Sequence, residues 1–163
     1  GNLEDVKLAY IGDGNNMAHS LLLAAAQVGM DISIASPDNY QPQSEVVAAA
    51  EKLATQSGAQ IEIVTKPQKA AQAADVVYTD VWASMGDEDE AEERKKVFTS
   101  YQVNQELMAV AAENPIFLHC LPAHRGEEVT AEVIDGDNSV VFDQAENRLH
   151  LQKAIMVNLM SNK

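Results

Sequence analysis

Short apolar runs of β-prone residues alternate along this sequence with longer stretches of helical composition. The first run, residues 6–11, ends in glycines and is followed by an Ala- and Leu-rich stretch at 17–28 that stops at Gly29. This pattern predicts a strand that leads into a helix. The same signal predicts four further strands, at 32–35, 61–65, 75–79 and 116–119.

Helices are predicted between these strands and after them. Ser44 can cap a helix that runs to Gly58, and a short helix follows at 68–74. The segment 80–93 shows neither period, which predicts a long loop leading into a helix. Beyond it the sequence predicts helices at 101–112, 127–133 and 144–160, and a short strand at 140–142.

Strands that alternate with helices of this length form right-handed crossovers in a mostly parallel sheet with helices on both faces. The expected fold is therefore α/β, doubly wound and three-layered, of the Rossmann-like kind. The 163 residues suit one domain, and a hydrophobic fraction of 46% is typical of globular chains. In such sheets, ligands bind beyond the carboxyl ends of the strands.

The net charge narrows the choice of partners. A formal charge of −14 would repel phosphate backbones and anionic membranes. The longest apolar run, residues 21–26, is far shorter than the ~20 residues of a membrane span, and no secretory signal is visible. The single cysteine, Cys120, excludes an internal disulfide. We expect no nucleic-acid partner, no membrane partner and a cytoplasmic location.

Three predicted strands end in segments that can carry chemistry. The segments are 12–16 (GDGNN), 80–86 (DVWASMG) and 119–122 (HCLP). They should share one edge of the sheet, although each alone is equally typical of ordinary turns and caps. The first is a poor dinucleotide fingerprint, because Met17 stands where the third glycine belongs and the second strand ends in Ala35-Ser36, with no acid at the ribose position. Asn15 and Asn16 instead offer side-chain amides at a helix N-terminus.

The other two segments also leave alternatives open. Asp80 at the mouth of the sheet suits an ammonium ligand, or else caps the next turn. Cys120 beside His119 suggests a nucleophile and its base, but neighbouring residues in a strand point to opposite faces, and a lone buried thiol is common. One cysteine and four scattered histidines give no zinc-type spacing, so no metal site is predicted.

With these segments identified, the sequence resembles the ornithine carbamoyltransferase family from end to end. The resemblance is carried, in the family's order, by IGDGNN, YTDVWASMG, FTSYQVNQELM, FLHCLPAHRGEEVT and AENR. The family's other domain carries a Ser-Thr-Arg-Thr phosphate loop and a His-Pro-x-Gln segment, and neither occurs in this sequence. The resemblance implies that residues 1–163 are the ornithine-binding domain, with the carbamoyl-phosphate-binding domain absent.

The resemblance also implies roles for individual residues. Those expected to hold L-ornithine are Asn16, Asp80, Ser84 and Met85. Asp80 would take the α-ammonium group and Cys120 would lie beside the side-chain amine. The carbonyls of Cys120 and Leu121 would accept hydrogen bonds from the carbamoyl NH₂ group, and Arg148 would polarise the carbamoyl carbonyl. His119 belongs to the same motif and is included among the catalytic candidates.

The implied reaction transfers the carbamoyl group of carbamoyl phosphate to the δ-amine of L-ornithine, giving L-citrulline and phosphate without any cofactor. An ordinary amine of this type has a pKa near ~10.4, so the site must favour its neutral form. The isolated domain is expected to be monomeric and inactive, and the full-length enzyme a homotrimer or larger.

Other functions remain as alternatives at this stage. The sequence is also compatible with a transcarbamoylase for putrescine or an acylated ornithine, with a non-catalytic nucleotide-binding module, or with a folding or interaction unit. Two structural expectations accompany the resemblance. The Leu121–Pro122 peptide bond should be cis, and the 80–93 loop should be mobile or displaced without ligand.

Overall fold

A computed structural model describes residues 2–83 and 91–161 of the chain. Its centre is a parallel sheet in which every pair of neighbouring strands runs in the same direction. The strands are β1 (Lys7–Ile11), β2 (Asp31–Ala35), β3 (Ile61–Val64), β4 (Val76–Thr79) and β5 (Ile116–His119). All five correspond to predicted strands, and the predicted α/β fold is confirmed.

The order of strands in the sheet is β3-β2-β1-β4-β5. The chain therefore builds outward from β1 to β3 and then crosses back to place β4 on the other side of β1. This reversal creates a crevice between β1 and β4, where ligands bind in folds of this kind. Ile11 pairs with Thr79, and Thr79 pairs with His119, so the carboxyl ends of β1, β4 and β5 lie level with one another.

Helices cover both faces of the sheet. They are α1 (Asn16–Val28), α2 (Ser44–Ser57), α3 (Pro67–Ala71), α4 (Ala91–Phe98), α5 (Gln105–Met108), α6 (Ala131–Ile134) and α7 (Val141–Ser161). Side chains alternate between the faces along β1: Leu8 and Tyr10 join the core beneath α1 and α2, whereas Ala9 and Ile11 join the opposite core. The three-layer arrangement follows from this alternation.

Several predicted boundaries differ from the structure, and for three elements backbone hydrogen bonds explain the difference. The strand predicted at 140–142 is helical from Val141, because the backbone N–H of Gln144 donates to the Val140 carbonyl. The helix predicted at 101–112 is reduced to α5, since the Val110 carbonyl accepts the Ala73 backbone N–H and the Ala112 backbone N–H donates to the Ala74 carbonyl. The helix predicted at 127–133 begins only at Ala131, because residues 128 and 130 bond to Val103.

Helix α7 differs from the others in its surroundings. Val141 in its first turn is buried, but the apolar side chains of its outer part are 49–74% exposed: Leu149, Leu151, Ile155, Met156, Val157, Leu159 and Met160. The helix touches the rest of the domain chiefly through β5. Within residues 2–83 and 91–161, no helix combines the length and the apolar character that crossing a bilayer requires.

Candidate functional site

The loop between β1 and α1 forms one wall of the crevice. Gly14 donates its backbone N–H to the Tyr40 carbonyl at 2.7 Å. A Cβ atom at this position would collide with the backbone of Gln41 and Pro42, so only glycine allows the loop to pack against that turn. The sequence GDGNN therefore places the next two asparagines at the start of α1.

The two asparagines have different surroundings. Asn15 caps α1, with its Oδ1 accepting from the backbone N–H of Met17 at 2.9 Å and of Ala18 at 3.4 Å. Its Nδ2 donates to Asp80 Oδ2 at 3.3 Å. Asn16, the residue assigned to ornithine by resemblance, is the exposed first residue of α1 and its assignment remains a prediction.

Asp80 links the loops that follow β1, β4 and β5. Its Oδ1 accepts from the Val81 backbone N–H at 2.8 Å, which makes it a turn cap, and from the Cys120 thiol at 2.9 Å. The side chain is buried, with 8% exposure, and among the described residues it makes no ion pair. Burying a carboxylate without a cationic partner is costly, so this position favours a positively charged ligand.

Cys120 lies in an environment that opposes ionisation. Burial, followed by the hydrogen bond and the negative charge of Asp80, raises the pKa of the thiol to about 12. Burial also raises the pKa of Tyr78, whose ring lies beside Cys120. A thiol that keeps its proton at neutral pH is a poor nucleophile, so the nucleophile-and-base interpretation is not supported.

His119 uses both ring nitrogens within the protein. Nδ1 accepts the backbone N–H of Leu121 at 2.8 Å, which leaves the proton on Nε2, 3.2 Å from Glu128 Oε1. Asp80, His119 and Cys120 could each direct one ligand atom to a common point, since these atoms lie within 4.8 Å. However, the histidine nitrogens and the thiol proton are already engaged, so the residues do not fit a metal ion.

The turn after β5 contains the predicted cis peptide. The Leu121–Pro122 bond is cis, which confirms the prediction, and Leu121 has a positive φ of 56°. Residues of this turn and of α7 line a groove of about 1170 Å³. Cys120, Leu121 and Arg148 therefore line the same space, and their assignment to the carbamoyl group remains a prediction.

Gln144 determines where α7 meets the sheet. Its Oε1 accepts the His119 backbone N–H at 3.1 Å, and its Nε2 donates to the Tyr78 hydroxyl at 2.9 Å. Arg148 lies one helical turn further along α7, where residues four apart share a face. Gln144 thus fixes the helix at the point from which Arg148 reaches the groove.

Ser84 and Met85 lie outside the described residues, as does the 84–90 part of the 80–93 loop whose mobility was predicted. Three residues that the sequence analysis did not assign belong to the site by contact: Tyr78, Glu128 and Gln144. Tyr78 and Glu128 fall within the segments that carry the resemblance, and Gln144 directly precedes AENR. Their position in or beside these segments was the signal that could have identified them as site residues.

Comparisons with known proteins show which family the chain is similar to. The model of the family described as aspartate/ornithine carbamoyltransferase, Asp/Orn binding domain, matches residues 4–159. An ornithine carbamoyltransferase of Symbiobacterium thermophilum is 59% identical over 161 residues, which are 99% of this chain and 52% of that protein. The chain spans about half the length of the curated relatives it matches.

Solved structures give the same result. Ornithine carbamoyltransferase from Pyrococcus furiosus superposes with a TM-score of 0.95 at 53% identity, covering 100% of this chain and 52% of that one. The anabolic ornithine carbamoyltransferase from Campylobacter jejuni gives a TM-score of 0.92 at 42% identity, covering 97% and 52%. The likeness in sequence and in fold therefore extends along the whole described chain.

Proposed function

Because this chain belongs to the aspartate/ornithine carbamoyltransferase family, we propose that it is the ornithine-binding half of an ornithine carbamoyltransferase. In this proposal the complete enzyme transfers the carbamoyl group from carbamoyl phosphate to the δ-amine of L-ornithine. The products are L-citrulline and phosphate. The proposed domain comprises residues 1–163.

The observation that carries the proposal is the position of Asp80. Its buried carboxylate joins three strand-end loops at the crevice and has only neutral donors among the described residues. An α-ammonium group would supply the missing positive charge in a poorly solvated place, where a charge-assisted hydrogen bond is strong. Asn16, Ser84 and Met85 are proposed to complete the ornithine site.

The groove between the 119–122 turn and α7 supports the second part of the proposal. The carbonyls of Cys120 and Leu121 are proposed to accept hydrogen bonds from the carbamoyl NH₂ group. Arg148 is proposed to stabilise negative charge that develops on the carbamoyl oxygen. His119 is proposed to contribute through its hydrogen bond with the Leu121 backbone N–H in the turn. A protonated Cys120 beside the δ-amine adds no charge there, which suits attack by a neutral amine.

Other properties of the complete enzyme follow from the family rather than from this domain. Carbamoyl phosphate is proposed to bind between this half and a second domain, which supplies the phosphate-binding groups. We also propose a homotrimer or larger assembly, a cytoplasmic location and a role in arginine metabolism. No cofactor is required by the proposed reaction.

Comparison of amines by the full-length enzyme tests the proposed substrate. L-Ornithine, putrescine and an α-N-acylated ornithine are supplied with carbamoyl phosphate, and the carbamoylated product of each is measured. Recognition through Asp80 predicts preference for L-ornithine, because the other two lack a free α-ammonium group beside a carboxylate. Preference for putrescine or the acylated amine would reject the ornithine assignment while leaving the reaction class intact.

A second measurement uses this chain alone. We expect no citrulline synthesis, since the proposed phosphate site is not formed by these residues. We also expect L-ornithine, and not a nucleotide, to stabilise the chain against thermal unfolding. Robust turnover by the purified chain would contradict the half-enzyme proposal, and stabilisation by a nucleotide alone would favour the nucleotide-binding alternative.

A further inference from the structure

A single buried carboxyl group holds both ends of the turn that follows β5. Oε1 of Glu128 lies 3.2 Å from His119 Nε2 and accepts the His124 backbone N–H at 2.6 Å. The Glu128 side chain is completely buried. Burial of a carboxyl group is costly unless its hydrogen bonds compensate, so these two contacts are the physical reason for a glutamate here.

The contact between Glu128 and His119 also affects the backbone of the turn. Because Nδ1 of His119 accepts the Leu121 N–H at 2.8 Å, the ring that Glu128 holds also determines where that N–H points. The N–H of Leu121 and the carbonyl of Cys120 belong to one planar trans peptide, in which the two groups point in opposite directions. Fixing the N–H on His119 therefore directs the Cys120 carbonyl away from the ring.

We propose that Glu128 is a positioning residue for carbamoyl transfer. It acts through His119 and the Leu121 amide to orient the Cys120 carbonyl, and through the His124 amide to close the turn. Glu128 does not touch substrate. This inference rests on the proposed function, which assigns the Cys120 carbonyl to the carbamoyl NH₂ group.

The chemistry of Glu128 suggests a matched set of variants. Both contacts use Oε1, whereas Oε2 has no hydrogen-bond partner among the described residues and lies 3.8 Å from His124 Nδ1. Glu128→Gln keeps an acceptor oxygen at the Oε1 position. Glu128→Met keeps a similar volume but has no such acceptor. Ile34→Ala is the control for stability alone, because Ile34 is buried in β2, which β1 and β4 separate from β5.

Nuclear magnetic resonance on this chain tests the geometry directly. In the wild type we expect the Nε2–H tautomer of His119 and slowly exchanging amide protons at Leu121 and His124. Glu128→Gln should preserve these signatures, and Glu128→Met should speed both exchanges by about tenfold or more through local opening. If Glu128→Met does not fold, Glu128→Asp, which withdraws the carboxyl group by one methylene, should show the same loss. Unchanged exchange in a folded Glu128→Met or Glu128→Asp variant would overturn the inference.

Kinetics of the full-length enzyme test the consequence. Glu128→Met should lower kcat by about 10- to 100-fold, because a misplaced carbonyl spoils the geometry of transfer. The KM for L-ornithine should change less than about threefold, since Asp80 is untouched. Glu128→Gln should restore most of kcat, and Ile34→Ala should lower the melting temperature without this loss.

The outcomes distinguish this inference from the proposed function. Failure of Glu128→Gln to restore kcat, or an equal loss in Ile34→Ala, would reduce Glu128 to a stabilising role. A wild-type enzyme that carbamoylates ornithine, together with a fully active Glu128→Met variant, would overturn the inference alone. A wild-type enzyme that forms no citrulline would overturn the proposed function, and the positioning role with it.

Discussion

Asp80 and Cys120 lie at the ends of adjacent parallel strands, whereas Arg148 is carried by a helix whose outer part packs against little of the domain. The first two are held by the register of the sheet and by a direct hydrogen bond of 2.9 Å. Arg148 depends instead on Gln144, one turn earlier, and on the buried Val141. Cys120 and Arg148, with these two kinds of support, both line the groove between the 119–122 turn and α7.

This difference predicts how substitutions will affect the strand ends and α7. A strand-end residue moves only if strand pairing or the core behind it changes, so its position is set by many interactions. A residue on α7 moves with a helix that is fixed near one end. We therefore expect disturbances of the core to destabilise the domain strongly, and disturbances along α7 to affect mainly the groove.

The largest expected effect compares the stability cost of a substitution in the sheet with that of a substitution on α7. Phe117 on β5 is fully buried, and Phe117→Ala should lower the free energy of unfolding by about 3–5 kcal/mol. Leu159 on α7 is exposed, and Leu159→Ala should change that free energy by no more than about 0.5 kcal/mol. Urea unfolding of this chain measures both. A similar loss in the two variants would mean that α7 packs as tightly as the sheet.

The next prediction concerns the ionisation of Cys120. With a pKa of about 12 in place of 9.0, its thiolate fraction at pH 8 should be about a thousandfold smaller than that of an ordinary cysteine. Alkylation of this single thiol at pH 8 should be correspondingly slow in the folded chain and fast in urea. Since the folded state holds the proton more tightly, the contribution of Cys120 to stability should be fully present below about pH 9 and should be lost as the pH rises towards 12.

Asp80 contributes to this behaviour, and its removal gives the control. Asp80→Asn removes a negative charge and should speed alkylation of Cys120, although burial remains the main cause of the raised pKa. Equal alkylation rates for Cys120 in the folded and unfolded chains would show that the surroundings of the thiol do not suppress its ionisation.

The charge of Asp80 should also matter for the proposed substrate. In the full-length enzyme, Asp80→Asn should weaken the use of L-ornithine by about 10- to 100-fold, the cost of about 1.5–3 kcal/mol for a charge-assisted hydrogen bond. Asp75→Asn is the matched control, because Asp75 precedes β4 at the opposite edge of the sheet and bonds to the Lys7 backbone. An unchanged dependence on ornithine concentration would leave Asp80 as a turn cap only.

The strand side of the site was predictable from sequence, because strand ends converge by topology. Apolar runs located all five strands, and alternation with helices implied the parallel sheet that brings Asp80 and Cys120 together. Local pattern failed at residues 140–142, whose apolar character suits a strand and a buried helical turn equally. The hydrogen bond from the backbone N–H of Gln144 to the Val140 carbonyl shows that these residues begin a helix and do not form a strand.

Side-chain partners within the site were less predictable. Glu128 lies in an acidic, glycine-containing segment that is typical of a solvated turn, yet it is fully buried beneath His119. Gln144 could have faced solvent on an amphipathic helix. Their contacts depend on how separate elements pack, and single-sequence periodicity contains no information about that.

The two hydrogen bonds of the Gln144 side chain give the next prediction. Gln144→Leu would remove the hydrogen bonds that the Gln144 side chain makes with the Tyr78 hydroxyl and the His119 backbone N–H, at a cost of about 1–3 kcal/mol in the free energy of unfolding. Gln152→Leu makes the same chemical change on an exposed part of α7 and should have little effect. Urea unfolding compares the two variants, and equal stability would show that α7 does not depend on Gln144.

Among the residues of the proposed site, the smallest expected effect on stability belongs to Arg148, which is exposed although it lines the groove. Arg148→Ala should change the free energy of unfolding of this chain by no more than about 0.5 kcal/mol, because it removes no buried contact. In the full-length enzyme the same variant should weaken the use of carbamoyl phosphate roughly tenfold, since it removes the proposed donor to the carbamoyl oxygen. Lys153→Ala, a charge removed further along α7, should leave both quantities unchanged. If Arg148→Ala and Lys153→Ala have the same kinetics, the helix side of the groove contributes shape alone, and the proposed chemistry rests on the strand ends.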